Sequence, residues 1–178
     1  ATTTTTAIVA QGLPYTFNLS ASDPFTNGWN EESVGGSETW SYIASTGAQM
    51  NAFNGGCQTN EDWLISPALD LSATTSELLS FTTSESFSGT DLEVLYSTDY
   101  LGTGDPNVAN WTNITTITSG NAGTTSNNTG LNSLNNASVY VAFKYTFASG
   151  SCSQWTVSDF SVIEGSGSAE SDIATVGI

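Results

Sequence analysis

The segment Glu61-Asp-Trp-Leu-Ile-Ser-Pro-Ala-Leu-Asp-Leu-Ser72 decides what kind of fold this chain can form. Trp63 and Ile65 alternate with Leu64 and Ser66, the period of two that sends successive side chains to opposite faces of a sheet. Pro67 has no N–H to give to a ladder, so pairing should stop there and the chain should turn. Leu69 and Leu71 then dip back toward a core while Asp70 and Ser72 face out. Turn formers bound the segment on both sides, Asn54-Gly55-Gly56-Cys57 ahead and the polar run Ala73 to Ser76 behind.

The flanking chain repeats this grammar. Ser138 to Phe147 has the clearest alternation, with Val139, Val141, Phe143, Tyr145 and Phe147 on one face and Tyr140, Ala142, Lys144 and Thr146 on the other. Further strands are expected at Leu13 to Leu19, Glu38 to Ala44, Gln49 to Phe53, Glu77 to Ser84, Asp91 to Ser97, Trp111 to Ile117 and Gln154 to Ile163. The β-branched opening, Ala1 to Ala10, favours a strand over a helix, and a last strand is expected at Asp172 to Val176. Ser20 to Ser37 reads as turns, and so does the Gly/Asn/Thr-rich run that ends at Asn136. No helix of useful length, repeat or domain boundary shows, and short strands punctuated by turns predict an all-β, antiparallel β-sandwich.

Three blocks, in order, carry a resemblance to a known family. They are Asp62-Trp-Leu-Ile-Ser-Pro67, the run from Asp91 through Tyr100 to Asn107, and Val139 to Val162 with its Val-Ala-Phe-Lys-Tyr and Trp-Thr-Val-Ser-Asp-Phe segments. The chain resembles the bacterial choice-of-anchor J domains, relatives of the cleaved-adhesin modules of gingipain-type proteases, over Phe17 to Val162. The resemblance implies a β-sandwich of jelly-roll type, secreted and non-catalytic. On this reading residues 13–178 form one sandwich and residues 1–12 a strand extension.

Charge is the unusual term. The 178 residues carry 17 acidic side chains and one base, Lys144, with no arginine or histidine, for a net charge of −16. Such a field repels phosphate, so nucleic acid and anionic membranes are poor partners. No run approaches the roughly 18 apolar residues of a membrane-spanning helix. An alanine at the first position is what signal-peptide removal would leave, and points to a secreted or cell-surface location. Cys57 and Cys152 lie in similar Gly/Ser-rich loops. An even count outside the cell favours one disulfide, with two free thiols as the alternative.

These residue types also rule chemistry out. Without histidine there is no ordinary Ser-His-Asp triad, Cys-His pair or histidine zinc site, so the chain reads as non-enzymatic. Calcium suits it better, taking oxygen ligands from carboxylates, amides and carbonyls. Resemblance to metal-bearing jelly rolls implies one site joining Asp23 to Asp159. A second candidate is the loop holding Asp99, Asp105 and Asn107, where Gly102 and Gly104 permit tight bends. The alternative for each aspartate is capping of its own turn. Lys144 is expected to neutralise a cross-strand carboxylate such as Glu93.

Two functions follow. One is an adhesive or structural subunit that polymerises with copies of itself, donating a strand through Thr2, Thr4, Thr6, Ile8 and Val9 to a neighbour's sheet edge; the alternative is that this strand pairs within its own sandwich. The other is a carbohydrate-binding module for a polysaccharide, with Trp29, Trp111 and Tyr100 as the stacking platform if they are exposed.

Overall fold

The computed structural model describes residues 9–165, and the alternating segments become strands. In chain order they are β1 (Gln11–Gly12), β2 (Tyr15–Asn18), β3 (Asn30–Gly35), β4 (Ser41–Ile43), β5 (Gly47–Asn51), β6 (Asn60–Ile65) and β7 (Leu69–Asp70). Then follow β8 (Glu77–Ser86), β9 (Leu92–Ser97), β10 (Thr112–Ile117), β11 (Thr124–Asn128), β12 (Tyr140–Phe147) and β13 (Gln154–Glu164). Five strands form one sheet in the order β10-β9-β12-β6-β3. The other runs β11-β8-β13-β5-β4, with β2 joining β13. The two sheets are antiparallel throughout and face each other as a sandwich.

The sequence places β6 and β12 side by side at the middle of the five-stranded sheet because both are apolar on two faces. Leu64, Val141, Phe143 and Tyr145 point inward and are fully buried against Phe81, Trp155, Phe160 and Val162 of the other sheet. Phe143 meets Phe81 edge-on at 5.3 Å between ring centres. Each such side chain removed from water stabilises the fold by about 1.5–3 kcal/mol. The outward residues Trp63, Ile65, Tyr140 and Ala142 form a second, smaller cluster, roofed by Tyr100 and Trp111 from the loop between β9 and β10.

β6 ends at Ile65, ahead of Pro67, as the missing N–H requires. The carbonyl of Ala68 then accepts the Gln11 amide at 2.7 Å, and β1 lies parallel to β7. Gln11 and Gly12 thus pair with β7 in a separate two-stranded sheet.

Two strands lie where turns were expected. β3 crosses the Ser20–Ser37 stretch and β11 the Gly/Asn/Thr-rich run. Both are edge strands with almost no apolar side chains, held by backbone pairing to β6 and β8. The strand expected at Leu13 to Leu19 contracts to β2, since Pro14 cannot pair. The one expected at Glu38 to Ala44 contracts to β4, with Trp40 buried ahead of it. The strand expected at Asp172 to Val176 lies outside the described residues, as do Thr2, Thr4, Thr6 and Ile8. Val9 lies inside them and is 79% exposed.

Candidate functional site

The aromatic side chains expected to form a platform are spent on packing. Trp29 is 3% exposed, stands edge-on to Phe160 at 5.0 Å, and donates its indole N–H to the Tyr15 hydroxyl. Tyr100 is 4% exposed, wedged between Trp111 and Tyr140. Trp111 is half-buried against Trp63 and gives its N–H to the Pro106 carbonyl. The loop between β9 and β10 carries Tyr100 and Trp111 down onto the sheet, while Trp29 is buried in the core between the sheets, so neither Trp29 nor Tyr100 can stack on a sugar.

Three of the candidate metal ligands, Asp23, Asp99 and Asp105, are engaged in hydrogen bonds within their own loops. Asp23 accepts the Phe25 amide and Asp105 the Asn107 amide, each opening a short 3-10 turn through Asp-Pro. Asp99 accepts the backbone and side-chain N–H groups of Asn110 and the Ser97 hydroxyl. These bonds hold its carboxyl below the ordinary range. Asn107 donates its side-chain amide to Glu61. Asp159 is exposed on β13, opposite Asn18 of β2, and lines a groove of about 460 Å³. Among the described residues no three His, Cys, Asp or Glu side chains converge.

Lys144 finds Glu61 on β6 at 3.3 Å, although its register partner on β9 is Glu93. The Trp63 ring decides this, lying under the ammonium group at 4.6 Å from Nζ to its centre. Burial works to raise the Glu61 carboxyl, but hydrogen bonds from Asn107 and Trp63 and the charge of Lys144 hold it below the ordinary range.

The concavity that does offer something lies at one end of the sandwich, over the disulfide. Cys57 and Cys152 are bonded, their Cα atoms 5.6 Å apart, and the Cys152 amide donates to Cys57 Sγ. Around them lies a cleft of about 410 Å³, lined by Asn51, Phe53, Phe87, Ser88 and Ser151. That volume falls in the range of small-molecule sites. Phe53 is 58% exposed and Phe87 75% exposed, and neither ring is stacked on another aromatic.

Local sequence explains why these two rings stand free. Phe53 follows β5 in Ala-Phe-Asn-Gly-Gly-Cys, a tight turn in which Phe53 bridges to Cys57 and Gly55 takes a φ of 68°. Phe87 follows β8 in Ser-Phe-Ser-Gly and itself holds a φ of 61°, a costly value for a bulky residue. Gly89 lets this loop lie on the chain at Ser151, because a Cβ there would overlap the Ser151 carbonyl. Thr90 locks the far side, its carbonyl accepting both the Ser153 hydroxyl and the Trp155 indole N–H. Among the described residues no charged side chain lines the cleft. The strand expected at Gln49 to Phe53 stops at Asn51, which leaves Phe53 in the turn, and Phe87 lies just past the end of β8 among Ser and Gly.

No protein-family model matches the chain, and no curated protein is significantly similar to it in sequence. Solved structures are similar in fold. The K1 cleaved adhesin domain of the Lys-gingipain of Porphyromonas gingivalis is 15% identical with a TM-score of 0.59, over 86% of this chain and 99% of that domain. The K2 cleaved adhesin domain of Lys-gingipain is 14% identical at 0.54, over 84% and 98%. A variant of a family 29 carbohydrate-binding module, in complex with cellulohexaose, is 11% identical at 0.52, over 85% and 92%. The two sheets thus have the β-sandwich architecture of the cleaved adhesin domains, the fold that the Asp62 to Pro67 block led one to expect.

Proposed function

We propose that this chain is a non-enzymatic, extracellular adhesive domain that binds a neutral saccharide between Phe53 and Phe87. The observation that carries the reading is the pair of exposed, unstacked phenylalanine rings lining one uncharged cleft. Sugars present C–H faces that pack on aromatic rings and hydroxyls that need neutral donors and acceptors. Asn51, Ser88 and Ser151 supply those groups, while the disulfide and Gly89 hold the loops in place, which limits the ordering cost of binding. The cellulohexaose complex of a similarly folded module supports the choice of ligand class. A net charge of −16 disfavours anionic polysaccharides.

Isothermal titration against soluble neutral oligosaccharides, chosen by a glycan array, tests it. Phe53→Ala and Phe87→Ala should each weaken binding about tenfold, the equivalent of about 1.4 kcal/mol, with unchanged melting temperatures. Binding that survives both substitutions, or an array with no neutral glycan bound, refutes the site.

A second reading, growth into a homopolymer by strand donation with calcium between subunits, draws on Val9, which stands exposed just ahead of β1. Its test is sedimentation of the intact protein and of a variant lacking residues 1–10, each with and without calcium. Filaments from the truncated variant, or none from the intact protein, remove it.

A further inference from the structure

Two carboxylate oxygens of inward-facing side chains have no hydrogen-bond donor among the described residues: Oε1 of Glu31 and Oδ1 of Asp62. They belong to one corner of the sandwich, between β3 and β6. Ser33 pairs with Asp62 and Glu31 with Leu64, so Glu31 and Asp62 share the inner face as diagonal neighbours. Asp62 is fully buried. Asn60, also on this face, donates its side-chain amide to Asp62 Oδ2 and to the Glu38 carbonyl, both at 2.7 Å. The Asn60 Oδ1 atom lacks a donor as well, but it is turned against Gly36, where even a methyl group would overlap it. Asn60 therefore braces one oxygen of Asp62 and leaves the other open. Trp40 lies alongside, giving its indole N–H to the Asp62 carbonyl at 3.3 Å.

Among the described residues nothing basic is at hand to balance these charges. The one base, Lys144, faces the opposite side of the sheet and is paired with Glu61. A buried carboxylate left charged and unpaired is costly, and a cation in this corner would relieve that cost. We propose that Asp62 and Glu31 hold a hard divalent cation of the calcium type. The donors are all oxygen, which selects against zinc and copper. Two carboxylates match a double charge, and the half-buried Glu31 leaves a side from which water can enter to fill the remaining positions. The site is independent of the Phe53–Phe87 cleft and of Asp23 and Asp159.

Calcium titration calorimetry after chelator treatment tests the site, together with terbium luminescence excited through tryptophan. The intact protein should bind calcium, and calcium should displace terbium whose emission is sensitised by Trp40 and is therefore reduced in Trp40→Phe. Asp62→Asn and Glu31→Gln should each weaken calcium at least the roughly tenfold that even outer-sphere changes cost. Asp159→Ala should leave it unchanged. If Asp62→Asn folds poorly, the more accessible Glu31→Gln decides alone. The proposal is overturned if the intact protein binds no calcium at millimolar concentration. It is also overturned if both carboxamide variants bind as the parent does, or if Asp159→Ala removes the ion instead.

Discussion

In a chelating buffer, raising the pH from about 4 to about 7 should weaken this fold through Asp62. Burial pushes the Asp62 carboxyl from its ordinary 3.8 up to about 6, against the hydrogen bond from Asn60 and with help from the charges of Glu61 and Glu38. Burial, then the charges of Asp62 and Glu32, raises Glu31 as well. For an acid raised in the folded state, the native form holds its proton longer than the unfolded chain does. The penalty is absent below pH 3.8, grows between 3.8 and about 6, and is complete above that. At about 1.4 kcal/mol per pH unit, the gap amounts to about 3 kcal/mol. Glu61, held below the ordinary range, acts in the opposite sense, and its contribution fades only as the pH falls further. Comparison with Asp62→Asn isolates the effect from the general relief of carboxylate repulsion. Urea unfolding at several pH values, followed by tryptophan fluorescence, should show the variant gaining on the parent by about 3 kcal/mol across the window. In melting temperature that is roughly 6–12 °C. Parallel profiles would mean that Asp62 is not charged at a cost, and the reasoning from its unpartnered oxygen would fail.

Two further outcomes are expected. The Cys57–Cys152 bond closes a loop across 95 residues of sequence, so Cys57→Ser with Cys152→Ser should lose about 4–5 kcal/mol by urea unfolding, and an unchanged midpoint would refute the chain-entropy account. Gly89→Ala drives a methyl group into the Ser151 carbonyl and should cost about 1–3 kcal/mol while weakening saccharide binding, because the Phe87 loop must lift; calorimetry of melting and of binding checks both.

Most of the architecture was legible because its central strands announce themselves locally. β12 alternates over its whole length, and β6 ends at its proline, so which side chains meet in the core followed from a period of two. β3 and β11 were illegible for a physical reason. Their side chains, such as Ser33, Thr124 and Ser126, bury little, and they are strands only because β6 and β8 offer open backbone to pair with. That information lies in a distant part of the chain. The site was harder still. Trp29, Trp111 and Tyr100 have the right chemistry for sugar, but whether an aromatic ring faces water depends on what covers it, and the loop that covers Tyr100 is its own. Glu31 and Asp62 sit about thirty residues apart in sequence, and only the register of β3 on β6 makes them neighbours.

The placement of Lys144 reaches beyond electrostatics. Trypsin cuts only after lysine or arginine, and in the whole sequence that leaves a single peptide bond. The bond lies in the interior of β12, a strand hydrogen-bonded on both sides, to β6 and to β9. A protease needs an extended stretch free of such neighbours, so the central sheet must come apart before the cut can be made. Tryptic cleavage of this protein is therefore a one-site clock for opening of the sandwich core, and its rate under native conditions reads out the free energy of that opening wherever reclosing outpaces the enzyme.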